Sequence, residues 1–253
     1  MESRSLLISD LDGTLLGDDE SLEKFSQWYA HHRPEVRLVY ATGRLFDSVV
    51  QAIETTALPE PYAVIGGVGA ELRRYPDGNS LTEAWPGRIS GWDRKGIISI
   101  LSRYGGLLMQ PAEFQHDLKL SYYGYCLTSD FLTGIRQQLE RAGFRTEIIY
   151  SSERDLDIMP AGVDKGSAAV HLAGKWNFNA NEVIVAGDTG NDASMFDRGF
   201  RGVVPANAHE KLQMMHSQEV YHSMYPHAAG VLDGVQYWLN RTKVPAGNQM
   251  SDS

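Results

Sequence analysis

Up to about residue 80 the chain alternates short apolar runs with stretches of helical periodicity, and that alternation confines it to α/β architecture around a parallel sheet. Leu6-Leu7-Ile8-Ser9 reads as a buried strand. Ser21 to Arg33 reads as an amphipathic helix, with Leu22, Phe25, Trp28 and Tyr29 at helical spacing behind Ser21 as the expected cap. Val36 to Tyr40 is a second strand and Arg44 to Thr56 a second helix. Tyr62 to Ile65 is a third strand, running into the turn Gly66-Gly67-Val68-Gly69.

From about Glu83 the texture changes. A helix around Ile89 to Tyr104, a strand at Lys119 to Cys126, a helix at Asp130 to Ala142 closed by Gly143, and strands at Arg145 to Ile149 and Asp155 to Met159 make a small α+β insert. The α/β rhythm then resumes with a helix at Lys165 to Gly174, the run Val183 to Ala186, a helix near Asp192 and a strand at Gly202 to Val204. The expected organisation is a core from 1–82 and 161–241, an insert at 83–160, and a frayed tail at 242–253.

At 42% hydrophobic and 22% charged the composition is that of a globular chain, and no stretch approaches the ~20 apolar residues of a membrane helix. No signal peptide is visible at the charged N-terminus, so a cytoplasmic address is expected. A net charge of −9 without clustered Lys and Arg argues against nucleic-acid or acidic-membrane partners. The single cysteine, Cys126, has no intrachain partner and is expected to be a buried, inert thiol.

The chemistry-bearing residues sit where strands end. Asp10-Leu11-Asp12-Gly13-Thr14 follows the first strand, and residues two apart on an extended segment point the same way. Two neighbouring carboxylates repel unless a cation or a shared proton lies between them. The competing reading is a plain Asp-Gly turn. Gly187-Asp188-Thr189-Gly190-Asn191-Asp192 repeats the pattern after another buried strand, with a simple helix cap as its alternative. Mg2+ prefers octahedral oxygen ligands and suits Asp10, Asp12, Asp188 and Asp192 if they converge. Thr42 and Gly43, before a helix N-terminus, can hold phosphate oxygens. Lys165 can supply positive charge between an attacking carboxylate and a phosphate, although a lysine opening a helix is commonly a solvated surface residue.

This ordered set, Asp10 to Thr14, Thr42, Lys165 and Gly187 to Asp192, resembles the haloacid dehalogenase superfamily of phosphatases over essentially the whole core. The resemblance implies a Rossmann-like doubly wound parallel-sheet core with an inserted small α+β cap. It also implies roles. Asp10 attacks phosphorus, Asp12 protonates the leaving oxygen and then activates water, and Thr42 and Lys165 hold the phosphoryl group. Asp188, with Asp10 and the Asp12 carbonyl, ligates Mg2+, and Asp192 supports the metal waters.

Leu7 to Asp12, Tyr40 to Arg44, Gly67 to Glu71, Lys119 to Tyr122, Ser151 to Pro160 and Asp164 to Gly166 are further similar to sucrose-phosphate phosphatases and their mannosylfructose-phosphate relatives. That resemblance implies a phosphorylated fructose-containing disaccharide as substrate, sucrose 6-phosphate first and mannosylfructose phosphate as the alternative. Functional coupling to the glycosyltransferase that makes it is expected from the same source. Candidate sugar contacts are Gln115, His116, Lys119, Asp155, Asp157 and Asn191, polar groups that can meet sugar hydroxyls. Another sugar phosphatase of the superfamily is the rival enzyme reading. A receiver-type phospho-acceptor module is opposed by the insert, and a lectin-like binder by the paired Asp10 and Asp12.

Overall fold

The apolar runs become strands because the sheet they build is covered on both faces. The computed structural model describes residues 5–83, 85–86 and 89–242. β1 (Ser5–Ser9), α1 (Asp19–His32), β2 (Val36–Ala41), α2 (Phe46–Thr55), β3 (Ala63–Gly66) and β4 (Glu71–Arg74) come first. Then follow α3 (Arg94–Leu101), β5 (Leu108–Met109), β6 (Leu120–Tyr123), α4 (Ser129–Arg141), β7 (Thr146–Ser151) and β8 (Asp155–Pro160). The remainder is α5 (Lys165–Lys175), β9 (Val183–Ala186), α6 (Ala193–Phe196), β10 (Arg201–Val204), α7 (Glu210–Gln213), β11 (Val220–His222) and α8 (His227–Thr242).

A seven-stranded sheet runs β11-β10-β9-β1-β2-β3-β4, parallel throughout except for β4 against β3. Leu6, Ile8, Val39, Ile65 and Val185 pack toward α5, α6 and α7. Leu7, Leu38, Tyr40, Val64 and Ile184 pack toward α1, α2 and α8. Successive side chains therefore enter opposite cores, which is why the strands read as unbroken apolar runs. β1 lies between β2 and β9, with Leu7 opposite both Leu38 and Ile184. That strand order brings the segments after β1, β2 and β9 to one edge of the sheet, where open α/β sheets bind ligands.

The second sheet, β5-β6-β8-β7, is antiparallel. Leu120, Tyr122, Ile148, Leu156 and Ile158 pack against Ile97 and Leu101 of α3 and Ile135 and Leu139 of α4. By alternation, Ser121, Tyr123, Asp155 and Asp157 stand on the opposite face, in the register Ser121 opposite Asp157 and Tyr123 opposite Asp155. All its strands lie within 83–160, and its polar face meets the ligand edge of the first sheet. There the Lys119 Nζ donates to the Gly43 carbonyl at 3.2 Å.

Several local expectations shift. The cap of α1 is Asp18, whose Oδ2 accepts from the Ser21 N–H at 3.1 Å, with Asp19 and Glu20 favouring the helix N-terminus. β6 stops at Tyr123 because the chain leaves the sheet at Gly124. Cys126, at φ 51, is exposed rather than buried. β4, β5, β11, α7 and α8 are additional to the expected elements, and α3 is shorter than expected. Met1 to Arg4 and 243–253, which include most of the expected tail, lie outside the described residues. No helix among the described residues is long and apolar enough to cross a membrane.

One contact fixes how α5 is seated. Asp164 caps it by accepting from the Ser167 N–H at 2.7 Å, while the Ser167 Oγ accepts from the Asp164 N–H at 3.0 Å. Lys165 then opens the helix, and Gly166 lies so close to α6 that a Cβ would come within 2.0 Å of the Ser194 carbonyl oxygen. Gly166→Ala is expected to cost at least about 2 kcal/mol in urea unfolding, because the obstacle is backbone and cannot step aside. A wild-type unfolding midpoint would contradict this packing.

Candidate active site

β1 delivers Asp10 directly. Its N–H continues the sheet ladder onto the Ala186 carbonyl at 2.9 Å, and its side chain is buried. α5 delivers Lys165, whose fully buried Nζ donates to Asp10 Oδ1 at 2.7 Å, Asp192 Oδ1 at 2.6 Å and Asn191 Oδ1 at 3.1 Å. All three ammonium hydrogens are thereby used. The solvated-surface reading of this lysine does not hold.

The loop after β9 supplies Asp188 and Asp192. Asp192 Oδ2 accepts from the backbone N–H of Asp188 at 3.1 Å and of Thr189 at 3.0 Å, so this residue pins the loop to Lys165. Gly187 allows it, since a Cβ there would come within 2.4 Å of the Asp192 Cβ. Asp188 Oδ1 accepts from the Thr14 hydroxyl at 2.9 Å. Asp10, Asp188 and Asp192 each offer an oxygen, and these lie within 4.8 Å of one another. The Asp12 carboxylate is outside that cluster. Asp12 follows the end of β1, its side chain is 55% exposed, and it accepts from Arg44 Nε at 2.8 Å and Nη2 at 2.5 Å. The shared orientation that strand spacing suggested for Asp10 and Asp12 therefore does not place both on one ion.

Thr42 and Gly43 follow β2. The buried Thr42 Oγ1 accepts from the Arg44 N–H at 3.1 Å, and its carbonyl accepts from the Val68 N–H at 2.9 Å. Above them is a cavity of about 350 Å³ lined on the core side by Asp10, Asp12, Thr42, Gly43, Arg44 and Asn191. Its other wall is the polar face of the second sheet, including Gln110, Lys119, Arg154, Asp155 and Asp157. Lys119 is buried 3.7 Å from Asp157 Oδ1, which also accepts from the Ser121 hydroxyl at 2.6 Å. Asp155 Oδ1 accepts from Gln110 Nε2 at 2.9 Å.

Two expected sugar contacts lie elsewhere. Gln115 spends its amide on the sheet edge, donating to the Gln110 and Ser121 carbonyls at 2.9 Å each and accepting from the Ser121 N–H at 3.0 Å. His116 lines a separate cleft beside Glu71 and Trp85, and burial holds its imidazole below the usual range. Arg44, Gln110 and Arg154 line the cavity instead. Arg44 and Arg154 fall in the stretches Tyr40 to Arg44 and Ser151 to Pro160, the only sequence signal for them.

The electrostatics favour a cation. Burial pushes the Asp10 carboxyl well above the usual range, Lys165 opposes this, and Asp192 and Asp188 add to it. Asp188 is pushed up to about 6, by burial first and by Asp192 next. Burial works against the charge on Lys165, yet Asp10 and Asp192 outweigh it and raise its pKa. Three carboxylates against one ammonium leave two negative charges in excess, which suits a divalent ion. Room for one is kept by Gly13, where a Cβ would come within 2.2 Å of Asp188 Oδ2.

A family model described as sucrose-6F-phosphate phosphohydrolase matches residues 3–239. A mannosylfructose-phosphate phosphatase of Agrobacterium fabrum is 35% identical, the match covering 94% of this chain and 98% of that protein. Sucrose-phosphatase 1 of Nicotiana tabacum is 31% identical over 93% of this chain, which spans 59% of the tobacco protein's length. Among solved structures, a sucrose-phosphatase from Synechocystis sp. in complex with sucrose and phosphate superimposes with TM-score 0.86 at 28% identity, covering 93% of this chain and 98% of that one.

The raised carboxyls give a signed pH dependence. A carboxyl at about 6 in the folded chain and 3.8 when unfolded binds protons more tightly when folded. Without metal, its contribution to stability is therefore largest at low pH and is lost as pH rises through that window. A divalent cation competes with those protons, so the increase in Tm caused by Mg2+ should be small near about pH 5 and larger near about pH 7. Equal Mg2+ shifts at both values would remove Asp188 from the cation site.

Proposed function

The chain belongs to the sucrose-6F-phosphate phosphohydrolase family, and we propose on that ground that it is a Mg2+-dependent phosphatase hydrolysing sucrose 6-phosphate through an aspartyl-phosphate on Asp10. Its core is that of the haloacid dehalogenase superfamily of phosphoric monoester hydrolases. The single observation carrying the mechanism is a buried carboxylate, Asp10, that is paired to a buried lysine and still lines the cavity.

The chemistry follows from the groups in reach. Asp10 attacks phosphorus, an Asp10 oxygen to phosphorus bond forms, and the phosphorus to sugar-oxygen bond breaks. Asp12, having left Arg44, gives its proton to the departing sugar oxygen. It then takes a proton from the water that attacks the aspartyl-phosphate, and Asp10 departs with the bonding pair. Lys165 favours the ionised form of Asp10 against its burial and orients it, and the Thr42 hydroxyl with the Gly43 backbone holds phosphoryl oxygens. Mg2+, held by Asp10, Asp188 and the Asp12 carbonyl with Asp192 behind them, would offset the charge of the transferring group.

Segment 83–160 acts as the cap that selects the sugar. Its wall offers Lys119, Asp155 and Asp157, already oriented by Gly43, Gln110 and Ser121, to sugar hydroxyls. The glycosyltransferase that makes the phosphorylated sugar is the expected functional partner. A second reading, mannosylfructose phosphate as substrate, is favoured by the 35% identical relative.

Asp10→Asn should lower phosphate release by at least about 10^3-fold with an unchanged circular dichroism spectrum, and near-normal turnover would sink the covalent mechanism. Phosphate release should be compared on sucrose 6-phosphate, mannosylfructose phosphate, trehalose phosphate and glucose 6-phosphate. The two fructose-containing substrates are expected to lead; equal rates on all four would contradict disaccharide selection by the cap.

A further inference from the structure

We propose that Asn207 and His227 are a positioning pair for Asp188, gripping the Gly13 carbonyl so that the loop after β1 holds one oxygen of that carboxylate and packs against the other; the proposal rests on the metal-dependent reading above. The Gly13 carbonyl accepts from Asn207 Nδ2 at 2.8 Å and from His227 Nδ1 at 2.9 Å. A carbonyl can only accept, so Nδ1 carries the proton in this arrangement. Asn207 Oδ1 in turn accepts from the His227 N–H at 2.8 Å, which closes a three-membered clamp on one peptide.

The clamp is held at a conformational cost that the core does not explain. His227 opens α8 at φ 50, a left-handed conformation disfavoured for a side-chain-bearing residue. Its ring lies against Gly17, at φ 134, where a Cβ would come within 2.5 Å of the imidazole. Both Asn207 and His227 are only partly buried, so neither is there to fill the interior. Strain of this sort persists where surrounding groups over-determine it and gathers at functional sites.

What the grip reaches is Asp188. Next to the clamped carbonyl is Thr14, whose hydroxyl meets Asp188 Oδ1 at 2.9 Å, and Gly13 itself lies against Oδ2. The segment that carries Asn207 also donates the His209 N–H to the Asp188 carbonyl at 2.8 Å. One side of the molecule, from β10 to α8, thus fixes both the backbone and the carboxylate of a residue that the chain order places in the loop after β9.

The test compares the full-length wild type with His227→Gly, Asn207→Ala and His227→Asn. His227→Gly removes the ring while accepting the left-handed backbone, so folding is protected. Two readouts are taken: the Mg2+ concentration giving half-maximal phosphate release, and the Mg2+-induced rise in Tm, which needs no turnover. His227→Gly and Asn207→Ala should each raise the half-activating Mg2+ concentration about three- to tenfold, the worth of one hydrogen bond, and shrink the Tm response. KM for the sugar phosphate should stay within about twofold, and His227→Asn, with a donor amide that tolerates φ above zero, should recover part of the loss. If Asn207→Ala does not fold, His227→Gly decides alone. Wild-type Mg2+ titrations in folded variants would overturn the proposal, as would a loss confined to kcat and KM. A wild type indifferent to Mg2+ would overturn the metal reading and the proposal with it, and that control separates the two failures.

Discussion

Everything at the ligand edge depends on the buried ammonium of Lys165. Its three hydrogen bonds tie the end of β1, the loop after β9 and the start of α5 to one point. These segments are far apart in sequence, and the second sheet intervenes between the first and the last. An isolated buried charge is expensive, and removing one partner of a buried pair commonly costs about 3–5 kcal/mol. The pairing therefore does structural work before it does chemistry: it makes closing the interrupted core and building the site one event. It also biases the site, since Lys165 cancels only part of the carboxylate charge it gathers.

That imbalance divides labour among residues that look alike in sequence. Asp192 is saturated by Lys165 and two backbone amides, so it orders the loop. Asp188 takes one hydroxyl and keeps its second oxygen against a glycine. Asp12 faces a partly exposed partner, Arg44, in a place that water reaches. Four aspartates thus differ in burial and partners, and those differences support the proposed separation into a nucleophile, a cation ligand, a loop clasp and an exchangeable acid.

The sequence was legible wherever one element alone decides a position. Leu6 to Ile8 and Val183 to Ala186 are strands because both faces are covered, and the aspartates after them follow from strand ends meeting at one edge of the sheet. β4 was not readable, because Glu71, Arg73 and Arg74 are charged residues on an edge strand. Lys119 to Cys126 reads as one continuing strand, yet the Gly124 N–H turns to the Arg154 carbonyl and the chain departs, exposing Cys126. At the site, the residue types of Lys119, Asp155 and Asp157 sufficed to suggest the cavity wall. Gln115 has the same chemistry, but its direction is set by backbone groups five and six residues away. Arg44 on Asp12 and Asn207 on Gly13 are contacts through space, for which spacing carries no signal.

The turn after β3 shows how far such contacts reach. Its N–H groups at Gly67 and Val68 donate to the carbonyls of Arg44 and Thr42 at 2.8 and 2.9 Å. Glu71 Oε1 accepts from the Phe46 N–H at 2.5 Å, capping α2 from another strand where Leu45 offers no side-chain cap. On its far side Gly69 presses on the Asp164 carbonyl, where a Cβ would come within 2.5 Å, just before Lys165. A peptide so confined has little choice of conformation, and Val68, β-branched yet at φ 61, is where the constraint falls. The turn thus links the loop at Thr42 to the segment carrying Lys165, which pairs with Asp10. The glycines flanking Val68 belong to this spacing as much as to the bend itself, and a substitution there would be felt at Thr42 and Lys165 before it was felt in the sheet.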